Sequence, residues 1–140
     1  MEENKKMTMA LSTGSFDKLT VAGIILSGAV AEDMDVEIYV LLYGAYAFKK
    51  ENGAKIDTSS EYPELNRELK TSLSSMNIPT WVDFFKTAKE LGNVKFYICG
   101  TAGKIWGGEK ISDFIDLADD ICGIGEYVDS AQNADVHMLI

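Results

Sequence analysis

Cys99 is the residue best placed for chemistry in this chain. Val94-Lys95-Phe96-Tyr97-Ile98-Cys99-Gly100 reads as a buried β-strand that carries a cysteine to its very end and runs directly into a glycine-rich turn. In open α/β sheets, ligands bind beyond the carboxyl ends of the strands, where the turns leave room and helix N-termini point inward. A thiol there is a candidate for sulfur chemistry, because the thiolate is a strong nucleophile. Gly100, Thr101, Gly103 and Lys104 follow as candidate substrate-binding residues, in a turn that leads into a short helix or a glycine-rich loop. Their free amides and the Lys104 ammonium are expected to favour the thiolate, below the free value of about 8.5. Gly14 and Gly44, in the turns that close the first and second strands, complete the substrate-binding set. Cys122 is a core or turn residue first and a candidate resolving thiol second. A buried packing role competes for any cysteine, but a strand end beside glycines is a poor place for a purely apolar group.

Other chemistry is poorly supported. Gly100-Thr101-Ala102-Gly103-Lys104 lacks the G-x-x-x-x-G-K-[ST] spacing of a phosphate loop, with Ile105 at the magnesium-ligand position. Thr13-Gly14-Ser15 lacks the dinucleotide fingerprint. Asp113, Asp116, Asp119 and Asp120 lack the calcium-loop pattern and read as a solvated face. The single histidine, His137, sits in a terminal strand and reads as a packed or edge residue, so no Cys-His or Ser-His-Asp set is drawn. Trp106 is read mainly as a packing residue that could shape the mouth of the site. Two cysteines 23 positions apart fit no metal spacing and are expected as free thiols. No metal and no cofactor is expected.

Bulk properties set the frame. A chain of 140 residues, 46% of them hydrophobic, fits one domain with a sizeable core. Its 22 acidic against 13 basic residues, a formal net charge of −9, argue against nucleic-acid or anionic-membrane partners. The apolar stretch from Leu19 to Ala31 is too short and too rich in small residues for a bilayer span, and no signal-peptide core follows Met1. A cytoplasmic protein is expected.

The elements that must position Cys99 alternate from the start. Met7, Met9 and Leu11 mark a first strand, a helix follows from Phe16 to Asp33 with a face of small residues, and Asp35 to Tyr43 reads as a fully covered parallel strand. Residues 49–77 read as an excursion, a lid or an oligomer arm, with a charged helix over Glu64 to Met76. Thr80 and Asp83 form a capping signature for a helix that Gly92 stops. A last helix, Gly125 to Gln132, leads into the terminal strand Asp135–Ile140.

Ile78-Pro79-Thr80 leading a helix to Ala88-Lys89-Glu90-Leu91-Gly92, then VKFYICG, Ile-Cys-Gly-Ile-Gly-Glu-Tyr-Val and a terminal Ala-Asp-Val-His-Met-Leu-Ile together resemble the DsrE/DsrF-like sulfur-relay family. The likeness covers nearly the whole chain and is closest to the peroxiredoxin-like branch associated with TusA-type sulfur carriers. It implies a three-layer α/β/α sandwich on a mainly parallel sheet of about five strands, assembled as a homo-oligomer. It also implies a persulfide-carrying cysteine, matched here by Cys99 alone, with a small TusA-like sulfur-carrier protein or a low-molecular-weight persulfide as partner. Two further readings stand beside this one. The first is a non-catalytic small-molecule-binding or assembly module of the same fold. The other is a thiol peroxidase, which requires Cys99 and Cys122 within disulfide reach.

Overall fold

The computed structural model describes residues 3–140. Five strands, β1 (Lys6–Leu11), β2 (Asp35–Val40), β3 (Val94–Cys99), β4 (Asp120–Cys122) and β5 (Val136–Leu139), form one sheet in the order β4-β3-β2-β1-β5. Every pairing is parallel. Helices α1 (Phe16–Ala31), α2 (Tyr43–Phe48), α3 (Asn66–Ser75), α4 (Trp81–Leu91), α5 (Gly100–Ile105) and α6 (Ile124–Gln132) connect them. Parallel strands need crossovers, and right-handed crossovers put the stepwise links from β1 to β4 on one face and the long return to β5 on the other. The side chains agree. Met9, Ile38, Phe96 and Ile98 are fully buried under the α1 and α4 layer. On the opposite face the Ser130 hydroxyl of α6 lies 2.7 Å from Thr8 Oγ1. The result is the three-layer α/β/α sandwich.

Phe48, Trp81, Phe85 and Phe96 form the aromatic centre of the core, with neighbouring ring centroids 5.1 to 6.2 Å apart. The small-residue face of α1 serves α4: a Cβ on Gly23 would stand 2.7 Å from Phe84 Cβ. Thr80 caps α4, its hydroxyl oxygen accepting the Asp83 amide at 3.2 Å.

Several elements depart from their expected form. The strand expected to reach Tyr43 stops at Val40, because Leu42 adopts φ +38° and Tyr43 opens α2. A run of Val, Ile, Leu and Tyr suits a covered strand and a buried helix start equally well. The first helix ends at Ala31, ahead of a left-handed Asp33 at φ +57°. Gly92 does end α4, yet in extended backbone; its missing side chain makes room for Val30, 3.0 Å from where a Cβ would lie. The acidic run is only partly a solvated face. Asp119 accepts the Phe96 amide at 2.8 Å and pairs with Lys89 at 2.5 Å, pinning the entry to β4 against β3. Asp113 accepts the amides of Glu109 and Lys110, both at 3.0 Å. Within 49–77, α3 buries no side chain and is held by the ion pair of Lys70 with Asp57 and by Lys70 over the Phe16 ring, 5.1 Å from its centroid.

Candidate functional site

Cys99 is the last residue of β3 and the N-cap of α5, at φ −62°, ψ 122°. It is the register partner of Cys122, the last residue of β4. Neighbouring strands run about 4.8 Å apart, within the about 4.4–6.8 Å between Cα atoms that a disulfide spans. Register partners project from the same face of a sheet, so both thiols share the face of Tyr97, whose ring stands 5.2 Å from that of Tyr39. Both cysteines are free and buried, 7% and 6% exposed.

Their position in the topology is special. The chain leaves β3 into α5, where Gly103 packs on Ile98 on one face of the sheet, and leaves β4 into α6 on the other. The thiols thus stand at the edge of the sheet where the chain changes faces, whereas the strand order reverses between β1 and β5, and the switch point at which open α/β sheets bind their ligands lies there.

The expected site residues divide into separate places. Gly100 lies beside the thiols: a Cβ there would stand 3.4 Å from the Cys122 carbonyl oxygen. Thr101 is exposed, and Gly103 is buried against Gly108 and Phe114, away from the thiols. Lys104 is exposed in the last turn of α5, the end remote from Cys99. The Cys99 side chain takes no capping hydrogen bond from α5 among the described residues. Amide and lysine activation of the thiolate therefore finds no contact here. Gly14 and Gly44 sit together at the ends of β1 and β2, one against the Tyr43 carbonyl and the other against that of Leu11. Gly14 lines a different cleft, with Gly44 packed behind it, and Trp106 lines that cleft half-buried rather than serving only as packing.

Asp120, read from the sequence as part of a solvated face, and Glu126, four residues beyond Cys122, belong to the surroundings of that thiol. Burial, with Glu126, Cys99 and Asp120 adding to it, pushes the Cys122 thiol from 9.0 up to about 12. Between those values an unfolded chain has lost the proton that the folded chain keeps, so stability present below pH 9 declines as pH rises toward 12. Tyr39, pushed up to about 12 chiefly by burial, acts in the same direction. Thermal denaturation should show a melting temperature that falls through this window more steeply in the native chain than in Cys122→Ala; parallel slopes would refute the assignment. His137 is exposed on the edge strand β5, its Nε2 sharing a 2.6 Å hydrogen bond with Tyr127 Oη.

No family model matches the chain. A Bacillus subtilis (strain 168) protein described as "Uncharacterized protein YrkE" is similar to it, 25% identical over an alignment that covers 99% of this chain and 99% of that protein. The solved structure of the protein of unknown function MTH1491 from Methanobacterium thermoautotrophicum shares the fold, with a TM-score of 0.61 at 13% identity, covering 98% of this chain and all of that one. No helix among the described residues is long and apolar enough to cross a membrane.

Proposed function

We propose that the protein is a sulfur carrier of the DsrE/DsrF-like kind, which holds sulfane sulfur as a persulfide on Cys99 and passes it to a partner thiol. The observation that supports this reading is the thiol at the carboxyl end of β3, in register with Cys122 on the neighbouring edge strand. Cys99 thiolate attacks the outer sulfur of a donor persulfide; an S–S bond forms on Cys99, the donor's S–S bond breaks and the donor leaves as a thiolate. An acceptor thiolate then attacks the outer sulfur of Cys99 persulfide and releases Cys99 thiolate. Sulfur moves at constant oxidation level. A low-molecular-weight persulfide fits the donor role, and a small TusA-like carrier protein fits either, as a persulfide when it donates and as a thiol when it accepts.

The register of Cys99 and Cys122 favours a second reading, a dithiol that cycles through a disulfide as a thiol peroxidase does. The environment of Cys122 weighs against it. A thiol pushed up to about 12 supplies little thiolate at neutral pH, so Cys122 attacks a modified Cys99 slowly and a persulfide there persists. Incubation with glutathione persulfide followed by intact-mass measurement separates the two. The carrier gains about 32 Da in the native chain and in Cys122→Ala and nothing in Cys99→Ser, whereas the dithiol enzyme loses about 2 Da as its disulfide forms. An adduct that survives in Cys99→Ser removes Cys99 from the role.

A further inference from the structure

A second concavity opens on the carboxyl side of the sheet, at the ends of β1 and β2, and its lining includes neither cysteine. Its volume is about 540 Å³, in the range of small-molecule sites. One wall is aromatic. The Trp106 ring stands 5.5 Å from that of Tyr43 and 5.0 Å from that of Tyr46, yet Tyr43 is 57% exposed and Tyr46 39%. The facing wall is the Thr13-Gly14-Ser15 turn, and Ile56 with Thr58 to Ser60 forms the rim.

Three features show that this wall is held in place at a cost in stability. Leu42 has φ +38° and ψ −109°, backbone that a leucine rarely adopts and that costs about 1–3 kcal/mol. Its carbonyl accepts the Trp106 Nε1–H at 2.8 Å, while the Trp106 backbone carbonyl accepts from Lys49 Nζ at 2.7 Å, so both the ring and the backbone of Trp106 are tied down. Gly14 and Gly44 let α2 press onto β1 more closely than any side chain permits: a Cβ would lie 2.6 Å from the Tyr43 carbonyl oxygen in one case and 2.3 Å from that of Leu11 in the other. Strain and close approach hold a group of rings open to solvent in a fixed arrangement, where an ordinary surface would fold them away.

The lining also selects by charge. A quarter of the chain is charged and its net charge is −9, but none of the ten described residues around the cleft is charged. Rings without cations suit an uncharged, planar ligand and disfavour an anionic one.

We infer that the cleft between the Gly14 turn and the Tyr43–Tyr46–Trp106 wall binds an uncharged planar heteroaromatic ring of nucleoside size, stacked on the aromatic wall. The site is independent of the sulfur chemistry proposed for Cys99. The chain has two tryptophans, and Trp81 is 4% exposed inside the core, so the two indole N–H resonances form a built-in reporter and control. Titration with adenosine, uridine and riboflavin, followed by these resonances and assigned with Trp106→Phe, should shift the Trp106 signal saturably for at least one of the three and leave Trp81 in place. Tyr43→Ala, at an exposed position that leaves the core intact, should weaken that binding about tenfold, as loss of one stacking partner does. Adenosine 5′-monophosphate should bind at least about tenfold more weakly than adenosine, because no lining residue is a cation and nearby Lys49 is already engaged by the Trp106 carbonyl and Glu51. The inference fails if none of the three moves the Trp106 resonance, if Tyr43→Ala binds as the native chain does, or if the monophosphate binds as well as the nucleoside.

Discussion

Phe96→Ala is expected to lower the unfolding free energy by about 3–5 kcal/mol, as truncation of a core phenylalanine does. Phe96 is fully buried at the centre of β3, its ring 5.1 Å from Phe85 and 5.7 Å from Phe48. The Lys89 ammonium lies 5.6 Å from the ring centroid, so the methylenes and charge of that lysine lose a surface as well. The neighbours are themselves large rings held between α4 and the sheet and cannot close over the cavity. Against a total of about 5–15 kcal/mol for a domain, the loss is a large share. Denaturant unfolding of the variant measures it; a change below about 1 kcal/mol would mean that the aromatic layer relaxes and that stability resides elsewhere.

Gly44→Ala should also be damaging, by the opposite mechanism. The added methyl would meet the Leu11 carbonyl oxygen at 2.3 Å and Val40 Cγ1 at 3.1 Å. That oxygen cannot retreat freely, because it accepts the Leu41 amide at 2.9 Å at the point where β2 turns into α2. Relief requires pushing α2 off the end of β1, which takes the Tyr43 and Tyr46 wall with it. Overpacking of this kind costs about 1–3 kcal/mol and more where backbone is the obstacle. Gly28→Ala is the matched control: it lies within α1, nothing stands within 4 Å of the added methyl, and it should stabilise by about 0.5–1 kcal/mol. Equal melting temperatures for the two variants would refute the close-approach account of Gly44.

Elements with a strong period or a cap were legible before folding is considered. The Thr80-x-x-Asp83 cap, the apolar run of β3 and the small-residue face of α1 each carry their signal within a dozen residues. Asp120–Cys122 does not: three residues cannot display a period of two, and β4 is placed by its ladder with β3 and by the tie of Asp119 to Phe96. The same limit governed the site. Cys99 could be placed at a strand end from its own segment, but its pairing with Cys122 depends on β4, a strand too short to show itself. Leu42 was unreadable because the turn at that point is set by the approach of Gly44 to β1, a contact between segments more than thirty residues apart.

The brevity of β4 has a consequence for how Cys99 can be reached. Cys99 is 7% exposed, and beside it on the outer side of the sheet stands an edge strand of three residues. A ladder that short frays at far lower free energy than the core strands do. If Cys99 carries the proposed chemistry, a reagent would reach it by opening of this short edge ladder, with the aromatic centre left in place, and thiol modification would then slow when β4 is tied down more firmly.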